Sequence, residues 1–199
     1  DQAREAFIYS LPLVALATVR SRSAAAGQPV NAFRHARALS NARTQKVTAP
    51  NNDTLSSSAF IDLSAGPVRI ALPATGERYF SLQLMDAYTN TFCVLGSRTT
   101  GPTGGTFTLV GPTEPASPGA IRSPTPWVWA LGRMLIDGPA DLMAAHALQD
   151  QLTLTGAAPA MASATIAPAT PTGRNSSPAS RSSCWKARRR PPTRTCCGE

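Results

Sequence analysis

From Leu55 onward, hydrophobic residues alternate with polar or small ones, and this period of two residues limits the fold more than any other feature of the sequence. One face of the first such run carries Leu55, Ser57, Ala59, Ile61 and Leu63. Because successive side chains of a strand point to opposite faces, the run predicts a half-buried strand. The same period recurs over residues 68–72 and 78–86, with glycine- and proline-containing turns between the runs. The pattern predicts an antiparallel meander.

Segments with helical spacing precede and follow these strands. Apolar residues recur every three or four positions over residues 3–19, which predicts a buried helix, and residues 141–152 predict an amphipathic helix. Residues 127–136 are apolar on both faces apart from Arg133, a pattern typical of a strand that is buried on both sides. The predicted fold class is therefore mainly β with flanking helices (α+β), over residues 1–155.

The net charge of +8 is unevenly distributed. Residues 1–155 carry 12 Lys and Arg against 10 Asp and Glu, whereas residues 156–199 carry 7 against 1. This tail is rich in Ala, Pro, Ser, Thr and Arg and has too few large apolar residues for a core, so we predict that it is disordered. Two interpretations stay open: a basic arm for nucleic acid or an anionic membrane, or a shifted reading frame of a GC-rich gene. The second is favoured, and no specific nucleic-acid partner is predicted.

Several classes of protein find no support in the sequence. The apolar run of residues 6–19 is short for a transmembrane segment, and Asp1 and Glu5 before it are unlike the basic start of a signal peptide. The adjacent cysteines Cys196 and Cys197 match no zinc spacing. No nucleophile elbow, phosphate loop or dinucleotide fingerprint occurs. His35 has no nucleophile motif near it, so a role as catalytic base is disfavoured.

Two clusters of polar residues are the candidate site, and we expect them to converge at one rim of the sheet. They comprise Asn51, Asn52 and Asp53 before the first strand, and Asp86, Tyr88 and Asn90 after a later one. Short amides, carboxylates and one aromatic ring suit a sugar or another polar small molecule. No cofactor is predicted. Calcium is compatible with the oxygen-rich set, although the spacing matches no calcium loop.

Two other functional classes stay open at this point. In the first, Asp53 and Asp86 act as acid and base of a hydrolase, with Arg98 or Arg133 stabilising negative charge. In the second, the protein is a structural envelope protein, and the Asn51 segment is a turn that caps a strand. Arg133 itself has two interpretations, a core ion pair or an anion-binding residue.

Seven segments, taken in order, closely resemble the bacterial domain of unknown function 1254: residues 6–14, 30–33, 50–55, 62–67, 78–90, 96–101 and 131–133. The resemblance covers residues 3–155. It implies a β-sandwich, jelly-roll-like module that is often exported and is usually followed by a companion, domain 1214, and it implies no established reaction. The chain departs from the family pattern at Ser56, where an aromatic residue is usual, and we expect the companion domain to be missing from it.

Overall fold

Two β-sheets and two helices form the part of the chain that the structure, a computed structural model, describes: residues 2–41, 51–115 and 117–156. The helices are α1 (Gln2–Ala25) and α2 (Leu142–Gln151), and a 3-10 turn spans Pro139–Asp141. The strands are β1 (Arg34–His35), β2 (Thr54–Asp62), β3 (Val68–Leu72), β4 (Phe80–Met85), β5 (Thr91–Gly96), β6 (Gly105–Val110), β7 (Ile121–Arg122), β8 (Trp127–Leu135) and β9 (Thr153–Gly156). The predicted α+β class, mostly β with a helix near each end of this region, is confirmed.

The strands form a five-stranded sheet with the order β1-β2-β8-β4-β5 and a four-stranded sheet with the order β7-β6-β3-β9. All pairs are antiparallel except β6 with β7. The predicted meander is wrong, because β2 and β3 lie in different sheets. Period-two alternation determines which face of a strand is buried, but it does not identify the strand's neighbour.

The core lies between the two sheets, and the predicted alternation places side chains in it. Leu55 and Ile61 of β2, Ile70 of β3 and Leu82 of β4 are all 0% exposed. Each fully buried side chain of this size contributes roughly 1.5–3 kcal/mol. Strand β8 follows the same alternation, so the prediction that it is buried on both faces is wrong. Arg133 is exposed on its outer face, which also excludes the core ion pair as an interpretation of this residue.

Helix α1 crosses the outer face of the five-stranded sheet near Trp127, and it is longer and less buried than predicted. Only Leu16 and Ala17 are buried, whereas Phe7, Leu11 and Val14 are 63%, 47% and 51% exposed. The prediction of a buried helix is therefore wrong for its first half. No helix of the described residues is long and apolar enough to span a membrane.

A Schellman motif ends α1. Gly27, at φ 75°, donates to the carbonyl of Ala24, and Gln28 donates to that of Ser23. The chain then turns back along β2, where the amide of Asn31 donates to Phe60 and that of Ala36 donates to Ser56. The end of α1 and the outer face of β2 are thereby brought together.

Helix α2 confirms the second predicted helix and is followed at once by β9, which pairs with β3. The sequence pattern did not predict this strand, because only one of its four residues, Leu154, packs against the core. The tail that is predicted to be disordered lies outside the described residues from position 157 onward.

Candidate functional site

The carboxylate of Asp86 is buried inside the turn between β4 and β5. Its Oδ1 accepts hydrogen bonds from the amides of Tyr88 and Asn90, both at 2.9 Å, and its Oδ2 accepts one from Asn90 Nδ2 at 3.1 Å. Only 5% of the residue is exposed. The ring of Tyr88 lies 5.1 Å from that of Tyr9 of α1, and the electrostatic interaction with the Tyr9 hydroxyl is the main cause that raises the pKa of Tyr88. Three donors occupy the carboxylate, so its observed role is to hold the turn.

The segment before β2 is held in the same way. Asn51 Oδ1 accepts from the amides of Asp53 at 2.9 Å and Thr54 at 3.1 Å, and Asn51 Nδ2 donates to Thr54 Oγ1. Asn52 and Asp53 are exposed. Such a side chain satisfies backbone amides where a strand begins, as in the predicted strand-capping turn.

The two polar clusters do not converge. Asp53 accepts a hydrogen bond from the amide of Ile136, whereas Met85, just before Asp86, pairs with Trp129. Ile136 lies seven positions after Trp129 along extended chain, so the clusters lie roughly 23 Å apart. Strands β2 and β4 run in the same direction beside β8, hence a residue before β2 and a residue after β4 lie at opposite ends of the sheet.

This separation contradicts the two-carboxylate hydrolase, because a glycosidase-type pair needs about 5–10 Å between its carboxyl groups. The other two predicted residues do not join Asp86 either. Arg98 is exposed, with its guanidinium 5.3 Å from the ring of Tyr79, at the same end of the sheet as Asp53. Arg133 lies exposed between Ser56 and Ser81.

His35 contacts a hydroxyl that the sequence analysis did not connect with it. Its Nδ1 lies 2.8 Å from Ser57 Oγ, and burial, followed by the charge of Arg37, lowers the pKa of His35. A neutral imidazole beside a serine resembles a base and a nucleophile. However, Ser57 is only 2% exposed and also accepts from Gln149 Nε2 at 3.2 Å. The pair therefore ties β1 and β2 to α2 and offers no access to a substrate.

A pocket lies between the end of α1, the segment after it and the outer face of β2. Its polar lining comprises Arg20, Ser23, Gln28, Arg34 and Ser58, and Phe60 forms an apolar part of the wall. The cavity measures about 40 Å³, which is room for about three water molecules at 10–15 Å³ each. No Asp or Glu lines it. We call it the arginine pocket.

Arg20 gives this pocket its chemistry. Its guanidinium carbon lies 3.8 Å from the centroid of the Trp127 ring. Stacking uses the face of a guanidinium and leaves its N–H donors in the plane free for other partners. Burial lowers the pKa of Arg20, while the charge of Asp62 acts in the opposite direction. Among the described residues, Arg20 forms no hydrogen bond and no ion pair.

Ser58 adds a neutral donor. Its Oγ accepts a hydrogen bond from Trp129 Nε1 at 2.9 Å, which leaves the hydroxyl proton available. The rings of Phe60 and Trp129 stack beside it at 6.2 Å. Together with Arg34, which is exposed, these groups provide two cations and a hydroxyl donor around a small cavity.

The sequence analysis missed this pocket because it ended the first helix at Val19. Continuing the helical period to Gly27 would have placed Arg20 on the same face as Leu13 and Leu16. It also left Arg34 in an irregular segment, although this residue pairs with Ser58. One usable signal was available: alanine and arginine favour helix up to a glycine suited to the C′ position.

Comparisons with known proteins identify the family. The sequence profile described as "Protein of unknown function (DUF1254)" matches residues 30–156. The chain belongs to this family. A comparison with curated proteins found no match. The DUF1254 assignment confirms the resemblance seen in the sequence, and it names no ligand and no reaction.

Two solved structures are similar to this DUF1254 chain. The VPA0106 protein from Vibrio parahaemolyticus is 24% identical, with a TM-score of 0.62 over 75% of this chain and 36% of that one. An uncharacterized protein from Burkholderia cenocepacia is 16% identical, with a TM-score of 0.41 over 69% and 38% of the two chains. The first similarity supports the fold alone. The chain spans little more than a third of the length of either protein.

Proposed function

We propose that the domain is a binding module for small molecules that carry a carboxylate or a similar anionic group, and that the arginine pocket holds this group. The observation that carries the proposal is the state of Arg20. It is half-buried and stacked on Trp127, and its in-plane donors are unpaired among the described residues. Withdrawing part of a charge from water is costly, the charge of Asp62 offsets some of this cost, and a bound anion would offset more of it.

The rest of the pocket suits the same ligand. A planar carboxylate matches the planar donor fork of an arginine, which can bind both oxygens. Arg34 adds a second positive charge and Ser58 a hydroxyl donor. A cavity of about 40 Å³ accommodates the anionic group, so the remainder of the ligand would extend beyond it. An acidic sugar is one such ligand. It belongs to the class of polar small molecules or glycans that the sequence predicts.

Binding is favoured over catalysis in this proposal. The carboxyl groups of Asp53 and Asp86 lie at opposite ends of the sheet, and Ser57 is buried. Among the described residues, no group of three or more His, Cys, Asp or Glu side chains is placed to hold a metal ion. The calcium site stays a prediction. The hydrogen bonds of Asn51 and Asp86 favour the structural interpretation for these two residues only.

The test is a titration of the chain with glucuronate and, separately, with neutral glucose, followed by calorimetry. We expect glucuronate to bind and glucose not to bind. Arg20→Gln and Arg34→Gln each remove a charged donor and should weaken binding about tenfold or more. Arg69→Gln is the matched control, because Arg69 is exposed on the four-stranded sheet. Equal glucuronate affinities in all four proteins would overturn the proposal.

The companion domain 1214 is part of the same proposal as a partner. Phe7, Leu11 and Val14 of α1 present apolar side chains to solvent, which a further domain would cover. We expect the chain alone to self-associate through this face in analytical ultracentrifugation, and the triple substitution of these residues by serine to reduce association.

The matched control for that triple variant is serine at Val94, Leu135 and Met143, three exposed apolar residues on other elements. If both triple variants associate like the unmodified chain, the apolar face of α1 does not mediate self-association. A monomeric unmodified chain would lead to the same conclusion.

A further inference from the structure

A second cavity adjoins the arginine pocket, and its lining is almost entirely apolar. Leu13, Leu16 and Ala17 of α1 form one wall, and Trp127 and Val128 of β8 form the other. The cavity measures about 190 Å³. For comparison, an engineered apolar cavity of about 150 Å³ in another protein stays dry and binds benzene. The space beneath α1 is therefore large enough for a ring or for a short alkyl chain.

Arg20 and Phe60 line both cavities. Arg20 therefore borders both an apolar cavity and a smaller pocket of mixed polar and apolar lining that contains a second arginine. Apolar cavities favour hydrocarbon, because water gains few hydrogen bonds inside them, and the arginine pocket favours an anion. The arginine pocket and the apolar cavity therefore differ in chemistry and share Arg20 and Phe60 as lining residues.

From this arrangement we infer that the ligand is an amphipathic monocarboxylate, with its carboxylate at Arg20 and an apolar body of about the size of a benzene ring beneath α1. The inference rests on the proposed function, because it assigns the anion to the same pocket. The inference narrows the ligand class. An acidic sugar would fill only the arginine pocket and its mouth, whereas an aryl or short-chain alkyl acid would fill both the arginine pocket and the cavity beneath α1. The binding is a reversible association without a chemical step.

Four probes separate the contributions to binding. Phenylacetate carries both parts, acetate carries only the anionic group, and phenylacetamide has nearly the shape of phenylacetate without its charge. Glucuronate is the acid with a polar body. We expect phenylacetate to bind about 30-fold more tightly than acetate, because burying the ring removes its apolar surface from water. Phenylacetamide should bind at least about tenfold more weakly than phenylacetate.

A cavity-filling variant tests where the ring lies. Ala17→Leu adds side-chain volume beneath α1 and should abolish the preference for phenylacetate over acetate. Ala87→Leu fills the same cavity from the β4–β5 turn. It replaces Ala17→Leu in the test if Ala17→Leu does not fold. Ala147→Leu, on the exposed side of α2, is the matched control and should keep the full preference.

The outcomes distinguish this inference from the proposed function. If acetate and glucuronate bind as tightly as phenylacetate, the arginine pocket binds anions but the apolar cavity is not part of the site, and the inference is overturned. A phenylacetate preference that survives both cavity-filling variants overturns it as well. If none of the three acids binds, the proposed function itself is wrong. A 30-fold preference that Ala17→Leu or Ala87→Leu removes supports both.

Discussion

The turn at Asp86 and the arginine pocket are both rich in polar groups, yet they differ in how those groups are satisfied. Asp86 accepts three hydrogen bonds from its own turn, and its carboxylate is buried among them. Arg20 is also partly withdrawn from water, but its in-plane donors meet no acceptor among the described residues. The first arrangement is complete in the unliganded chain, whereas the second leaves donors that, in our proposal, bind an anion.

This difference separates structural polar residues from candidate binding residues. Backbone amides that lose a side-chain acceptor become unsatisfied, so a substitution at Asp86 should reduce stability. A substitution at an unpaired surface cation should leave stability almost unchanged and reduce ligand binding. Substitutions in the Asp86 turn should therefore lower stability, whereas substitutions in the arginine pocket should lower ligand affinity. Four substitutions test this contrast, from the largest expected change in stability to the smallest.

The largest effect is expected for Asp86→Ala. The variant leaves the amides of Tyr88 and Asn90 without their acceptor in a buried turn, which should lower the free energy of unfolding by about 3 kcal/mol. Urea denaturation measures this change. Asp86→Asn keeps one acceptor oxygen and should lose less. An unaltered midpoint for Asp86→Ala would show that the turn does not depend on this carboxylate.

A smaller loss is expected for Asn51→Ala, because Asn51 caps an exposed strand end. Two amide hydrogen bonds disappear, but water can replace part of them, so we expect about 1–2 kcal/mol. Asn51→Asp retains the accepting oxygen and is the matched control in the same urea experiment. Carboxylate binding should be the same in all three proteins, and a loss of binding in Asn51→Ala would return this segment to the candidate site.

The burial of His35, which lowers its pKa, predicts a modest dependence of stability on pH. The folded state lowers the pKa of His35 from its ordinary 6.5, so the unfolded state binds more protons near that pH. Stability should therefore fall as the pH is lowered through about 6.5. Arg37 strengthens this effect, and Asp150 opposes it.

His35→Gln should flatten the dependence between pH 7.5 and 5.5, as followed by urea unfolding. His146 of α2, whose Nε2 lies 2.8 Å from the carbonyl oxygen of Arg37, is retained in the variant, so the difference between the two slopes isolates His35. Identical slopes would mean that the neutral form of His35 does not contribute to folding.

Arg34→Gln should have the smallest effect on stability and the clearest effect on binding. Arg34 is exposed and forms no ion pair with any described carboxylate, so we expect its unfolding free energy to stay within about 0.5 kcal/mol. Its affinity for a carboxylate should fall about tenfold. If thermal unfolding without ligand changes as much as in Asp86→Ala, the contrast between the two regions does not hold.

The sequence predicts local burial well and tertiary proximity poorly. The buried faces of β2, β3 and β4 follow directly from period-two alternation, as Leu55 and Ile70 show. The assignment of β2 and β3 to different sheets could not be predicted, because alternation carries no information about strand partners. The positions of Asp53 and Asp86 at opposite ends of the sheet follow instead from β2 and β4 running in the same direction beside β8, and an antiparallel meander of β2, β3 and β4 would separate them in the same way.

The candidate site was hidden for a similar reason. Arg20 and Arg34 are 14 positions apart and meet only because the Schellman motif at Gly27 reverses the chain. The side chains of Asn51 and Asp86, in contrast, bond to their own neighbours, which a dense polar stretch of sequence already suggests. The stretch that looked most like a site is therefore the one whose hydrogen bonds are local.

The most direct test of this contrast is a titration of the isotopically labelled chain with glucuronate, the acid with a polar body, followed by amide chemical shifts in NMR. We predict that the largest shifts fall on Arg20, Ser23, Arg34 and Ser58, around the arginine pocket, while the amides of Asp53, Tyr88 and Asn90 keep their positions. Shifts concentrated at residues 51–54 or 86–90, or no shifts at all, would contradict the assignment of the binding site to the arginine pocket.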